Sequence, residues 1–539
     1  MTTQTELMES QETDLADSNS ISLPVGCVLP YVADGTTSNI PDGWKLCNGV
    51  QVSKDTYGEL FDVIGTAYGG TGTPYFNLPD YQGWFLRGAD RGAGRDPDVS
   101  SRTIDSKTGN TYLIGSTQLS GTAFEDSSDA HVQPNNSLPK GSTHYAYKGT
   151  TLDVARNNDG SVKVTTQGWD KESRPINAYV NFIIKCDSSS TGIPLGTVVA
   201  YVGQDEVVSK VLPSSDWVYC NGDALPETAG DLSSLIGVIW GGDAAAPLSP
   251  DLRGFFLRGV AGGSTADPDS STRTAIHDDG NSGDKVASMQ TYATGKPANE
   301  IYFEISHLPV GHFKSSFTSG HTPAKWTNGS TTVDIKFSVG EETRPVNAYV
   351  KWYVKATNAS EEETIPVGIV VAYAGVANQT NNSLQNGLWL RCVGTSFDRT
   401  EYSQLYETIG VIHGSEGGYP YLPDYQGRFL RGVDDGAKRD PDASSRTAPG
   451  PDGTGHSGDQ IGSVQGWDTG EPNETPSVDL PHLPTSSTQT AAALGGGTIR
   501  DVGSGDPTFN FQGADAESRP RNVYVDWIIS ASNGSSDTH

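Results

Sequence analysis

The sequence predicts a β-rich α+β fold, built as three tandem domains of short strands with one short helix each and long Gly/Ser/Thr-rich loops. Three observations predict it. One segment recurs twice at a nearly constant spacing, glycine (64) and proline (31) are abundant, and the last run of each copy alternates apolar and polar residues. Leu78-Pro79-Asp80, followed by Phe85-Leu86-Arg87-Gly88, returns as Pro250-Asp251 with Phe256-Leu257-Arg258-Gly259. It returns again as Leu422-Pro423-Asp424 with Phe429-Leu430-Arg431-Gly432. The period of roughly 170 residues is too long for a solenoid repeat and suits a domain.

Pro24-Val25-Gly26, Pro194-Leu195-Gly196 and Pro366-Val367-Gly368 open the copies, and Arg174-Pro175, Arg344-Pro345 and Arg519-Pro520 precede their last strands. The expected organisation is an acidic disordered tail over 1–22, repeats over 23–186, 194–356 and 365–532, linkers at 187–193 and 357–364, and a polar tail over 533–539. Next in each copy comes Trp-x-x-Cys-x-Gly: Trp44 and Cys47, Trp217 and Cys220, Trp389 and Cys392. One cysteine per copy without a CxxC partner is no zinc knuckle, and beside a tryptophan it reads as core packing. Cys27 and Cys186, on the opening and closing strands of the first copy only, leave a bridge between them open.

Tyr57, Leu60, Phe61 and Ile64 fall at helical spacing, Thr56 and Glu59 have the spacing of a capping box, and Gly65 supplies a stop. Tyr402, Leu405, Tyr406 and Ile409 repeat the pattern, whereas the second copy keeps a shorter version in Leu232, Leu235 and Ile236. After the Phe-Leu-Arg-Gly segment, Asp-Pro-Asp recurs as Asp96/Asp98, Asp267/Asp269 and Asp440/Asp442, each followed by an arginine: Arg102, Arg273 or Arg446. Carboxylates two residues apart on an extended chain are about 6.6 Å apart, near the lower limit for inverting glycosidases. A neighbouring arginine favours the charged form of both, however, which opposes an acid role. Calcium is the better rival ligand, yet the glycine and terminal glutamate of an EF-hand loop are missing. The bland reading is a proline-stiffened turn tied by arginine–carboxylate bonds, with Arg87, Arg258 and Arg431, and Arg174, Arg344 and Arg519, as further candidates for buried or interface pairs.

The loops over 116–167, 280–339 and 455–516 align poorly among the copies and are the candidate partner-facing regions. Each copy then closes on a strand read as half-buried, with Ala178, Val180, Phe182 and Ile184 facing inward in the first.

Composition excludes several functions. Acidic residues outnumber basic ones by 65 to 36, and the net charge of −29 leaves no basic footprint for nucleic acid or anionic lipid. No basic-then-apolar leader opens the chain and no apolar run reaches the length of a membrane span, so the expectation is a soluble protein made in the cytoplasm without a Sec signal. No Walker loop, nucleophile elbow, zinc-protease motif or dinucleotide fingerprint is present, so neither a cofactor nor a catalytic site is expected.

Read in order, Pro41-Asp42-Gly43-Trp44-Lys45-Leu46-Cys47-Asn48-Gly49, the helix at 57–64, Tyr68-Gly69-Gly70 and Phe76-Asn77-Leu78-Pro79-Asp80 resemble the phage tail collar domain. Arg95-Asp96-Pro97-Asp98, Ser101-Arg102-Thr103, Glu172-Ser173-Arg174-Pro175 and Asn177-Ala178-Tyr179-Val180 are similar to the C-terminal region of many phage tail proteins. The resemblance covers nearly the whole chain as three tail-collar-like repeats. It implies a non-enzymatic structural component of a phage tail or tail-like contractile injection system, in the baseplate, collar or fibre region. Such a component assembles with other tail, baseplate or fibre proteins in a virion tail or tail-like particle and is released by lysis.

Fibres of this family form trimers, so three covalent copies take either a pseudo-threefold arrangement, one chain acting as a pseudo-trimer, or that of beads on a string. The H-x-H metal spacing of some short fibres is absent, His144, His307, His312 and His482 being the nearest elements. The alternative function is a receptor-binding adhesin that grips cell-surface glycans through its divergent loops, with Tyr145, Trp169, Trp326 and Trp467 as stacking residues. A polysaccharide-cleaving enzyme rests on the aspartate pairs alone.

Overall fold

The computed structural model describes residues 23–33, 40–90, 92–96, 114–122, 177–188, 192–294, 347–357, 365–374, 387–469 and 522–531, with residues 173, 175, 343, 345, 518 and 520. It also gives the backbone of further strands in the long loops. Four kinds of strand recur in each repeat. The opening strands are Cys27–Tyr31, Val198–Tyr201 and Ile369–Tyr373. The tryptophan strands are Trp44–Leu46, Trp217–Tyr219 and Trp389–Arg391. The Phe-Leu-Arg-Gly strands are Phe85–Gly88, Phe256–Gly259 and Phe429–Gly432, and the closing strands are Asn177–Lys185, Asn347–Lys355 and Asn522–Ser530.

Within a repeat, the C-terminal half of the closing strand runs antiparallel between the opening strand and the tryptophan strand. In the first repeat Ile184 faces Val28 on one side and Lys45 on the other. The N-terminal half leaves its repeat. Asn177–Val180 runs parallel to Phe256–Gly259 of the second repeat, and Asn347–Val350 to Phe429–Gly432 of the third. Asn522–Val525 then returns to Phe85–Gly88 of the first. The opening strands meet in the same cyclic order, through Tyr31 with Thr197, Tyr201 with Ile369 and Tyr373 with Cys27. The Phe-Leu-Arg-Gly strands do so through Arg258 with Phe85, Phe256 with Arg431 and Phe429 with Arg87.

These pairings overturn the expected fold class. Instead of three tandem α+β domains, strands of all three repeats share one 17-stranded sheet, with few helices. The sheet includes a closed eight-stranded barrel, and each closing strand runs from an opening strand to a Phe-Leu-Arg-Gly strand. The physical reason is the length of the closing strand. Its nine residues outreach their own repeat, and unpaired backbone N–H and C=O groups must find a partner when buried. The closing strand is also buried on both faces, not half-buried, since all its residues but Asn181 are buried in the first repeat.

The helices are Gly58–Ile64, Gly230–Ile236 and Ser403–Ile409, so the second repeat keeps a helix as long as the others. The capping box does not form. The helix begins after Tyr57 with no side-chain cap, and Glu59 instead accepts hydrogen bonds from the backbone N–H and hydroxyl of Ser188. No described helix is long and apolar enough to cross a membrane.

One apolar core runs through all three repeats. Apart from it, Phe85, Phe256 and Phe429 form a small apolar cluster of their own, each under an arginine from another repeat, at 5.0–5.3 Å. Nearby, Leu86, Leu257 and Leu430 with Phe182, Trp352 and Trp527 help line a cavity of about 20 Å³, room for about one water.

Candidate assembly sites at the joints between repeats

The signature arginines lie where one repeat meets another. Each enters on a buried strand and spends its Nε–H on a backbone carbonyl of a different repeat: Arg87 on Gly427, Arg258 on Gly83 and Arg431 on Gly254, all at 2.9 Å. Each Nη2 donates to the residue preceding Asp-Pro-Asp, namely Arg95, Ala266 or Arg439. The guanidinium then pairs with the first aspartate of that motif: Arg87 with Asp96 at 3.5 Å, Arg258 with Asp267 at 3.3 Å and Arg431 with Asp440 at 3.2 Å, all side chains fully buried. A second arginine completes the described clusters, Arg273 on Asp267 at 3.3 Å and Arg446 on Asp440 at 3.2 Å.

A tyrosine from the preceding closing strand locks each cluster across the joint. Tyr179, Tyr349 and Tyr524 donate their hydroxyls to Asp267, Asp440 and Asp96. Arg273 and Arg446 stack on the tyrosine rings, 3.3 and 3.4 Å from the centroids. Gln118, Gln290 and Gln465 donate to the same aspartates. Burial alone would raise the Asp267 carboxyl, but Arg258, the Tyr179 hydroxyl, Arg273 and the Asp269 N–H together hold it below the ordinary carboxylate value. Burial pushes the Tyr179 hydroxyl up, so it stays protonated and donates. A fully engaged, ionised carboxylate is built to hold two repeats together and has no proton to give a substrate.

The glycine of each Phe-Leu-Arg-Gly strand has a matching reason. A Cβ on Gly88, Gly259 or Gly432 would lie 1.9, 2.0 or 2.2 Å from the carbonyl oxygen of Tyr425, Tyr81 or Leu252, each in another repeat. Only a residue without a side chain admits that approach. Outside this layer the Leu-Pro-Asp aspartates form a second set of cross-repeat pairs. Arg95 Nη1 donates to Asp424 at 3.0 Å and Arg439 Nη2 to Asp251 at 2.8 Å. At the third such place Ala266 lies beside Gly83 where Arg95 and Arg439 lie beside Gly427 and Gly254, and the carboxyl of Asp80, the counterpart of Asp424 and Asp251, is raised by partial burial against the Gln82 N–H.

A further contact closes each joint near the helix. Tyr68 donates its hydroxyl to the Ala374 carbonyl at 3.3 Å, Trp240 its indole N–H to Val32 at 3.2 Å, and His413 Nε2 lies 3.2 Å from the Val202 carbonyl. Trp44, Trp217 and Trp389 are buried in the core with Cys47, Cys220 and Cys392, whose thiols burial pushes well above their ordinary value. Cys27 and Cys186 are free and buried. At the base of each divergent loop two hydroxyls meet: Thr122 with Ser173, Thr294 with Thr343, and Thr469 with Ser518.

Asp269 and Asp442, the second aspartates, precede single 3-10 turns, and their N–H groups donate to Asp267 and Asp440. Asp98, Arg102, Arg174, Arg344, Arg519 and Trp169 lie outside the described residues; for Tyr145 and Trp326 only the backbone strand is given, and Trp467 is half-buried. Sequence reading missed the cross-joint tyrosines, the glutamines and the Tyr68, Trp240 and His413 contacts. The tyrosines had a signal, since Asn-x-Tyr-Val stands at the same place in all three closing strands. Among the described residues, no group of three His, Cys, Asp or Glu side chains is placed to hold a metal ion.

The Phage Tail Collar Domain profile matches residues 27–86 and 368–430, in the first and third repeats. Protein RhiB of Rhizobium leguminosarum bv. viciae is 31% identical over 177 residues, covering 31% of this chain and 77% of its own. The putative uncharacterized protein StfE of Escherichia coli strain K12 is 29% identical over 187 residues, 30% of this chain and 88% of its own. Short tail fiber protein gp12 of Enterobacteria phage T4 is 38% identical over 72 residues, 13% of each chain. The matched regions carry the opening strand, the tryptophan strand and the helix, and end within the Phe-Leu-Arg-Gly strand, at Leu86 and Leu430. With the profile matching two of its three repeats and a relative matched over most of its length, this chain belongs to the phage tail collar domain family.

Proposed function

We propose that this chain is a structural, tail-fibre-type component of a phage tail or phage-tail-like contractile injection system, acting by protein–protein assembly in the baseplate, collar or fibre region. The observation that carries the reading is the set of joints. Buried Arg–Asp–Tyr clusters tie each repeat to the next, and the last to the first, so that the three copies of one chain act together as a pseudo-trimer. Such clusters fix geometry and leave no free acid, base or nucleophile in them. The match to the T4 short tail fiber protein supports the same reading. The test is sedimentation of lysate from the native source with this chain tagged, followed by negative-stain electron microscopy of the pellet. Label on sheathed, tail-like particles supports the assembly role, and its position separates baseplate from fibre. A free protein left in the supernatant while such particles pellet without it overturns the role.

A second reading, a receptor-binding head that grips cell-surface glycans, is favoured by one observation. Strands from the divergent loops of all three repeats pair in one four-stranded sheet, in the order Thr166–Gln167, Ser477–Thr488, Lys325–Phe337 and Ala130–Pro134. One composite surface built from the variable loops suits recognition. Loss of binding on a glycan array after Trp326→Ala with Trp467→Ala supports it, and unchanged binding removes those two residues from the site.

A further inference from the structure

The three joints are closed near the helix by the same kind of bond from three different side chains. Tyr68, Trp240 and His413 each stand three residues after the glycine that ends the helix, and each reaches the carbonyl that follows an opening strand of another repeat. Histidine is the one among them that gains a charge in mildly acidic water. Its ring is buried against the Val202 carbonyl and lies 6.4 Å from the Tyr425 ring, edge-on. The first repeat shows what a longer side chain does at that place, where the Tyr68 hydroxyl bonds the Tyr81 hydroxyl at 2.9 Å. In the third repeat Tyr425, the counterpart of Tyr81, has a buried hydroxyl with no hydrogen-bond partner.

We propose that His413 makes the joint between the second and third repeats an acid-releasable latch, in a ring whose other two joints, held by Trp240 and Tyr68, do not respond to the same protons. The neutral ring donates from Nε2 to Val202; the protonated ring carries a full charge in a place lined by apolar groups, a tyrosine hydroxyl and a second histidine. The titratable groups facing it are His456 and Tyr425, and neither offers a negative charge near neutral pH. Burial first, with His456 adding to it and the Val202 carbonyl opposing it, pushes His413 down to about 4. A group depressed in the closed joint and ordinary in the open one favours closure fully above its ordinary value. Closure is then progressively lost as pH falls towards the depressed one. Acid therefore opens the body first at one defined joint, freeing the Tyr201–Ile369 pairing of two opening strands.

Three equivalent amides report on the three joints. Val202 N–H donates to Gly368, Val32 N–H to Gly196 and Ala374 N–H to Gly26. Hydrogen exchange of the full chain, read by mass spectrometry and corrected for intrinsic rates, is measured at pH 7.5 and pH 5. The expected protection at Val202 falls by about thirtyfold, from the shift of the histidine between open and closed joints, while Val32 and Ala374 hold theirs. In His413→Trp, the side chain used by the second repeat, the Val202 loss disappears. Equal loss at all three joints, or an unchanged loss in His413→Trp, overturns the latch. Should that variant fail to fold, histidine-selective NMR of the unaltered protein decides: a His413 ring still neutral at pH 5.5 supports the proposal, and one titrating near 6.5 refutes it.

Discussion

Asp267→Asn tests whether the buried clusters hold the repeats together. The amide keeps the shape of the side chain and removes its charge. Arg258 and Arg273, each 3.3 Å from the carboxylate with side chains fully buried, are left as two cations in the core. Removing one partner of a buried pair costs about 3–5 kcal/mol, most of it the desolvation of the charge left behind. The temperature shift depends on how much of the chain unfolds together. At about 2.1 cal/mol/K per residue, a loss of about 4 kcal/mol lowers Tm by about 3–4 °C if all 539 residues unfold as one unit. A repeat of roughly 170 residues melting alone would shift by about 11 °C on the same scale. The shared sheet predicts the smaller shift in a single transition, measured by calorimetry at pH 7. A double-mutant cycle with Tyr179→Phe, whose hydroxyl reaches Asp267 from the first repeat, should give a coupling above about 0.5 kcal/mol. A loss below about 1 kcal/mol, or additive single effects, would refute the view that these clusters join the repeats.

Gly259→Ala, whose new methyl would meet the Tyr81 carbonyl at 2.0 Å, should destabilise by about 1–3 kcal/mol or more in urea unfolding, because both sides of the clash are backbone. Gly58→Ala, at the helix start with nothing within 4 Å, should stabilise by about 0.5–1 kcal/mol in the same assay. Ala266→Arg supplies Asp80 with the arginine that Asp424 and Asp251 already have. It should add up to about 1 kcal/mol at low salt and little at high salt, since Asp80 is exposed. The depressed Asp267 carboxyl contributes stability fully above the ordinary aspartate value, and that contribution disappears as pH falls through its lower folded value. Acid titration of the unaltered protein should show this limb below about pH 4, and Asp267→Asn should lack it.

Much of the molecule is written in short local patterns. Leu-Pro-Asp, Phe-Leu-Arg-Gly and Trp-x-x-Cys each mark an element, and their recurrence counts the repeats. Connectivity is not local. Arg87 touches Gly427, Tyr524 touches Asp96 and Trp240 touches Val32, separations on which periodicity is silent. Three copies that share their short motifs satisfy the same patterns whether each folds on itself or lends its last strand to a neighbour, so the patterns alone predict tandem domains. The closing strand misled for a related reason. Alternation of Val180 and Phe182 with Tyr179 and Ile183 implies one wet face, yet a neighbouring repeat covers that face with Arg273 and Asp267. The glutamines at 118, 290 and 465 were lost in sequence because they sit at the start of the divergent loops.

The Tyr68, Trp240 and His413 contacts carry a consequence for how such a body can evolve. In an assembly of identical subunits a substitution is made at every equivalent position at once, so each change must be tolerable in all of them. Here one codon alters one joint. Ala266, whose counterparts Arg95 and Arg439 are arginines, is a second place where the copies differ. Copies joined in one chain can therefore be specialised singly, so that three equivalent places in the body need not stay alike.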